Sequence, residues 1–445
     1  MAPTGKPKIL YVSMGHPDVR TGGAELYALD LYNAIREKGE FEPVFLARTG
    51  PPITSLLRYH WGTPFTSVND DPNQYLLYTD PDYWDYLFQR SGDKQMVTRF
   101  FRDFLLQHRP DVVHFQHTLF LGHDLIRMTR NSLPDAPIVH TLHDYMPICH
   151  RDGQMVRTGS NQLCTHASPR RCNECFPTVP PQVFFMRKHY IQSHFAQVDL
   201  FIAPSEHVRD TYVEWGLPAG KIKVEPQACR PVPNPPDPGP ARPRNRFAFF
   251  GQFSPYKGTD VLLEAMTILG EDFDGHLWIH GVDLERESGR FKEQLEAMLE
   301  SVPRETVTFA GRYDHKRELH KLMGRADWVV VPSIWWETGP LVVLEAFLHK
   351  RPVICSDIGG MAEKVEDGVS GLHFRRGDPD GLARVMKRAV ETPGLWEELR
   401  DGIPPVYEMC EHAQVMSDLY KQLLLAKRSV QREPAAPRVL TAHDG

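Results

Sequence analysis

Two glutamates, Glu337 and Glu345, carry the first chemistry this chain offers. They lie in the stretch Val329-Val-Val-Pro-Ser-Ile-Trp-Trp-Glu-Thr-Gly-Pro-Leu-Val-Val-Leu-Glu345-Ala-Phe-Leu348, with seven residues between them. Three β-branched residues, Val329 to Val331, read as a buried strand that stops at Pro332. Gly339-Pro340 then opens a helix, with the proline at the first helical position, where its missing N–H costs nothing. The free N–H groups and positive dipole end of that first turn suit a phosphate. Glu345 shares a helical face with Leu341 and Leu348, so its carboxylate needs a polar partner. Taken alone, Glu345 reads as satisfying a backbone group or an arginine. Together with Glu337 in the preceding loop it reads as a ligand site. Glu337 would meet sugar hydroxyls, Glu345 ribose hydroxyls, and the turn through Thr338, Gly339 and Leu341 a diphosphate.

This stretch resembles the paired-glutamate motif of the retaining family 4 glycosyltransferases, also called glycosyl transferases group 1, in a subset that would carry a four-cysteine insertion. The resemblance covers about residues 8 to 425 and is strongest from 247 to 375. It implies an α/β chain with the GT-B fold, two Rossmann-like doubly wound parallel sheets facing a cleft. It also implies a nucleotide-diphosphate sugar as donor, bound without a donor-site metal.

Composition agrees with a large soluble protein. A chain of 445 residues suits two domains. Hydrophobic content of 41% and charged content of 24% are globular values. No run of about 18 apolar residues is present to cross a membrane, and Met-Ala-Pro-Thr-Gly-Lys lacks the apolar core of a signal peptide. A net charge of −6 argues against a nucleic-acid partner. The expected location is cytoplasmic.

The expected first domain spans residues 1–230. Lys8 to Ser13 reads as a buried strand, followed by Gly22-Gly23 and a helix that ends at Gly39. A strand, a glycine pair and a helix start make an anion cradle, although close packing also calls for glycine; the resemblance favours the cradle, near the donor diphosphate. Residues 48–92 break the βα rhythm with nine aromatics, Tyr59, Trp61, Phe65, Tyr75, Tyr78, Tyr83, Trp84, Tyr86 and Phe88. They read as a satellite core under a long loop, with an acceptor groove as the alternative. Asp80-Pro-Asp82 and Asp378-Pro-Asp380 look like the metal-binding Asp-x-Asp of the other major glycosyltransferase fold, but neither follows a hydrophobic strand. The strand Pro137 to Leu142 ends in His143-Asp144, where open α/β sheets bind ligands. The resemblance implies that His143 reaches the donor sugar; Asp144 and Glu25 are expected on the acceptor side.

Cys149, Cys164, Cys172 and Cys175 are spaced by 14, 7 and 2 residues in a polar run that a metal would order. Four thiolates make a closed structural zinc site, with His150 and His166 as substitute ligands and an iron–sulfur cluster or two disulfides as alternatives. Arg187, Lys188 and His189 could face an anionic acceptor or a membrane surface, though such triplets are usually solvated.

Eight of the eighteen residues from Pro226 to Pro243 are proline, so 231–245 reads as a stiff linker. The second domain, 246–405, opens with a strand and Gly251-Gln-Phe-Ser-Pro-Tyr-Lys257-Gly258. Lys257 is placed to neutralise a leaving diphosphate. Gln252 stands where the family often has arginine. Gly281, Gly311, Arg312 and Tyr313 follow strands and are expected to contact the nucleotide, the base being held at the Gly311 loop. A helix over 406–427 should cross back to the first domain, and 428–445 should be disordered. The expected activity is retaining transfer of a sugar to a hydroxyl of a glycan, lipid-linked or natural-product acceptor, with His143, Lys257 and Glu337 catalytic. A non-catalytic nucleotide-sugar-binding scaffold, a GT-B-fold epimerase and a phosphorylase remain alternatives, the last without an evident lysine for pyridoxal phosphate.

Overall fold

The computed structural model describes residues 5–19, 22–50, 65–92, 94–232, 242–252, 254–281, 293, 297, 302 and 305–432. Tyr59 and Trp61, most of the proline-rich linker and residues 433–445 lie outside these. Ten strands fall in the first half: β1 (Lys8–Ser13), β2 (Glu42–Thr49), β3 (Phe65–Val68), β4 (Asp71–Tyr78), β5 (Trp84–Asp85), β6 (Arg90–Ser91), β7 (Val112–Phe115), β8 (Ile138–Thr141), β9 (Leu200–Ala203) and β10 (Ile222–Val224). Eight of them form one sheet in the order β10-β9-β8-β7-β1-β2-β4-β3, parallel except for the β3–β4 pair. A second sheet holds β11 (Arg246–Phe250), β12 (His276–His280), β13 (Val307–Gly311), β14 (Trp328–Val331), β15 (Val353–Ser356) and β16 (Gly371–Phe374). Its order is β13-β12-β11-β14-β15-β16, parallel throughout.

Helices cover both faces of a parallel sheet, so its strands read as unbroken apolar runs. Ile9-Leu-Tyr-Val12 and Val329-Val-Val331 are buried accordingly. Strand order reverses at β1 in one sheet and at β11 in the other. Ligands bind beyond the carboxyl ends of strands at such switch points. The loops found there hold Gly22, His143, Lys257 and Glu337.

Three sequence expectations change. Residues 71–78 of the aromatic insertion join the sheet beside β2. Phe65 and Tyr75 pack on Phe104 at 5.2 Å each, a satellite core, while Tyr83 and Tyr86 are exposed. The last helix runs from Met409 to Arg432, so 428–432 are helical where disorder was expected. It packs Met409, Ala413, Met416 and Tyr420 among Ile9, Tyr11 and Ala28 of the first domain. Pro340 is the cap residue, and the helix itself begins at Leu341.

Three histidines, His114, His123 and His140, are buried in the first domain. Burial, then neighbouring histidines, pushes all three pKa values down, His140 from 6.5 to about 3. Below pH 6.5 the unfolded chain takes up protons that the folded chain refuses. Their stabilising contribution is therefore present above that pH and is lost as pH falls, for His140 by about 2 kcal/mol at pH 5. We predict that His140→Leu raises the urea midpoint more at pH 5 than at pH 7.5; an equal shift at both would contradict this.

Candidate active site

β14 ends at Val331, and the loop after it turns Glu337 inward until only 6% of the residue is exposed. The carboxylate is not left alone there. Oε1 accepts from Lys257 Nζ at 2.6 Å, Ser333 Oγ at 2.7 Å and Trp335 Nε1 at 2.8 Å. Burial pushes its pKa up, but the Lys257 charge and these donors outweigh that and hold it below the usual carboxylate range. Lys257 also stands 5.3 Å from the centre of the Trp335 ring. One buried acid thus gathers the loops that leave β11 and β14.

Gly258 allows that approach. It has φ +68°, and a Cβ there would collide with the Pro332 carbonyl. Next to it, three glycine loops stack at the strand ends: Gly251 N–H donates to His280 O at 3.2 Å, and Gly281 N–H to Gly311 O at 2.8 Å. Phe250, His280 and Tyr313 form an aromatic wall, with Phe250 stacked on His280 at 4.8 Å. Gln252 and Arg312 are exposed at its rim. Glu345 is held by His315 Nε2 at 2.6 Å. Burial pushes the His315 pKa down, but the Glu345 carboxylate outweighs it and raises it overall.

The first domain meets this loop directly. Thr338 Oγ1 donates to the His143 carbonyl at 2.8 Å, so Thr338 bridges the domains. Leu341 lies beside Gly23, where a Cβ would stand 3.7 Å from its Cδ1. Gly22 caps the helix Gly23–Lys38, and a side chain there would strike Glu25. Glu25 is 2% exposed, folded beneath Gly15 and Gly22. Glu25, expected on the acceptor side, thus has its carboxylate beside the glycine turn.

His143 Nε2 faces Gln116 Oε1 at 2.9 Å, and Gln227 Nε2 faces its Nδ1 at 3.1 Å. Burial and the neighbouring His117 push its pKa to about 3, so the ring is neutral. Its edge packs on Tyr27 at 5.3 Å, and Tyr27 bonds His412 of the last helix at 2.6 Å. Asp144 Oδ2 accepts from His117 Nε2 at 2.6 Å, while its Oδ1 takes the Met146 N–H. Both oxygens of Asp144 are therefore engaged before any acceptor arrives.

The four cysteines are free thiols lining one cavity with Met155, Val156 and Phe176. Burial pushes the Cys149, Cys164 and Cys172 thiols up. Among the described residues no three His, Cys, Asp or Glu side chains come close enough to hold a metal ion. The expected zinc is not shown there, and His166 pairs with Glu214. A buried cation ties down the residues just before this loop. Arg187 is 3% exposed and donates to the carbonyls of Leu87, Met146, Pro147 and Ile148. That removes Arg187 from the expected basic surface. The loop also reaches the second domain: Arg151 stacks on Tyr256 at 5.3 Å, and Arg376 bonds both Asn161 O and Ile334 O. The two Asp-Pro-Asp tripeptides are local turns, Asp80 accepting from Asp82 N–H and Asp378 from Gly381 N–H, both at 2.9 Å.

His315, His117, Gln116 and Gln227 were not readable as site residues. Each is a polar residue paired through the fold with a partner at least 27 positions away. Gly258 carries the sharpest stability prediction. Gly258→Ala should cost more than about 2 kcal/mol, because it adds left-handed strain to a collision. Denaturant unfolding reads this, and a change below about 0.5 kcal/mol would contradict it.

Residues 244–392 match the family model described as glycosyl transferases group 1, and residues 21–230 match Glycosyltransferase Family 4. An uncharacterised glycosyltransferase of Methanocaldococcus jannaschii is 31% identical over 162 residues, 36% of this chain and 40% of that protein. The match thus spans less than half of that relative's length. Sucrose-phosphate synthase from Thermosynechococcus elongatus superposes with TM-score 0.71 at 20% identity, covering 95% of this chain and all of that one. Anabaena HepE, solved in complex with UDP and glucose, superposes with TM-score 0.62 at 16% identity, over 93% of this chain and 99% of that one. The chain therefore carries the paired domains of the Glycosyltransferase Family 4 and group 1 models on a GT-B fold.

Proposed function

We propose that this protein is a retaining glycosyltransferase that moves a sugar from a nucleotide-diphosphate donor to an acceptor hydroxyl. One observation carries the reading: buried Glu337 paired with half-buried Lys257 at a strand end, beside a helix N-terminus and next to Thr338, which bonds the His143 carbonyl across the interdomain contact. The donor diphosphate lies against the Gly339–Leu341 turn and the Gly22-Gly23 turn, with Lys257 released toward it. Those backbone N–H groups and the ammonium supply the positive charge that a departing diphosphate needs. Glu337 keeps Ser333 and Trp335 and turns its second oxygen, Oε2, to the sugar. Glu345 takes the ribose hydroxyls in place of His315, and the Gly281, Gly311, Arg312 and Tyr313 loops, with Gly251 and Gln252, enclose the nucleotide.

In the reaction the bond between the anomeric carbon and the diphosphate oxygen breaks, leaving the electron pair on the diphosphate. The acceptor oxygen bonds the anomeric carbon on the same face, and its proton passes to the departing diphosphate oxygen. Configuration is retained, and no side chain serves as general base. His143, neutral and held by two glutamines, is positioned as a hydrogen-bonding partner of the sugar. Asp144, already anionic through His117, lines the acceptor side.

The acceptor is a glycan, lipid-linked or natural-product hydroxyl. Among the described residues no helix is long and apolar enough to cross a membrane. A peripheral membrane contact would use a face such as Phe185 and Met186, which are 52% and 57% exposed.

The test is a panel of UDP-, GDP-, ADP- and TDP-sugars followed by thermal shift and by mass spectrometry of donor hydrolysis. One donor should stabilise the protein and be hydrolysed slowly, and Glu337→Ala should lower that hydrolysis at least about 100-fold. Binding without hydrolysis, unchanged in Glu337→Ala, would favour a nucleotide-sugar-binding scaffold instead.

A further inference from the structure

Gln227 follows β10 and is 5% exposed. Which way its amide points is fixed by a chain of bonds. Gln116 turns its amide nitrogen to the His114 ring at 3.3 Å, which leaves its Oε1 for His143. His143 Nε2 meets that oxygen at 2.9 Å, so Nε2 carries the ring proton and Nδ1 is a lone pair. A lone pair needs a donor, and Gln227 Nε2 supplies it at 3.1 Å. Gln227 Oε1 is thereby turned to the other side. There it is buried with no hydrogen-bond partner among the described residues, against Gly339, where a Cβ would stand 3.1 Å away from it.

An unmet buried carbonyl carries an uncompensated desolvation cost, and such groups in native structures call for an explanation. This one lies between His143, which the reading above places at the donor sugar, and Gly339, which it places at the diphosphate. We propose that Gln227 is a specificity residue of the donor site: its amide nitrogen locks the His143 tautomer, and its Oε1 accepts a hydrogen bond from one hydroxyl of the donor sugar. The inference rests on the donor-site reading above. It names the ligand group as a hydroxyl, not a phosphate or a base, because the atom that lacks a partner is an acceptor. A site built to bond a hydroxyl rejects the analogue without it, since the protein group is then left unpaired.

The probes are UDP-, GDP-, ADP- and TDP-glucose, with the 2-, 3-, 4- and 6-deoxyglucose forms of whichever base is hydrolysed. Wild type should disfavour one deoxy donor at least about 10-fold in kcat/KM through this contact. Gln227→Met should abolish that discrimination at one hydroxyl and leave the ratios at the others unchanged. Gln227→Asn, which withdraws the oxygen by one methylene, should do the same and serves if the methionine variant does not fold. A uniform loss over parent and all deoxy donors in both variants would overturn the inference, reducing Gln227 to a support for His143. If wild type hydrolyses none of the four nucleotide glucoses, the donor-site reading itself fails and this inference goes with it.

Discussion

A carboxylate buried at a strand end and held by one ammonium is the constraint on which the rest of the molecule depends. Glu337 keeps its charge because Lys257, Ser333 and Trp335 all meet the same oxygen. Without them burial would protonate it. That requirement pulls the β11 and β14 loops within hydrogen-bonding distance, and Gly258 is the residue type that permits the approach. The pair is also poised to change. In the proposed reaction an arriving diphosphate would compete for Lys257, and the carboxylate freed of it would face a sugar. Assembly and chemistry therefore use the same two groups.

The first domain contributes rigidity of a different kind. His143 is neutral and has both ring nitrogens occupied, and behind it Tyr27 leans on His412 from the last helix. His412 in turn meets Glu225 at 3.2 Å, and Tyr407 reaches the same carboxylate at 2.8 Å. The crossing helix thus packs apolar groups on one domain and supplies polar support beneath its cleft residue. Across the cleft, Glu363 caps the helix Glu206–Trp215 through the N–H groups of Glu206 and His207, a use of acid at a helix N-terminus. With Thr338 and Arg376, these contacts hold two independently wound sheets face to face.

Local pattern was enough to read the parallel sheets, because helices on both faces leave strands as plain apolar runs, as at Val329 to Val331. The loops that carry Glu337 and Lys257 were legible too, because each leaves a strand end punctuated by glycine or proline. What the chain hid was every partner chosen by the fold. His315 for Glu345, Gln116 and Gln227 for His143, and His117 for Asp144 lie far away in sequence and carry no local signature. Arg187 was hidden for a physical reason: it read as a surface charge, and only the tertiary structure shows it buried on the carbonyls just before the cysteine run. Only the tertiary structure, likewise, shows Glu25 folded under Gly22.

The central claim is that Lys257 and Glu337 act as one unit on the donor. A double-mutant cycle on nucleotide-sugar hydrolysis, with Lys257→Met, Glu337→Gln and the double variant, tests it most directly. If the pair works as a unit, each single change should lower kcat by at least about 100-fold, and the double should be scarcely worse than either alone. Losses that multiply in the double variant, or single variants that hydrolyse donor at the wild-type rate, would contradict the account.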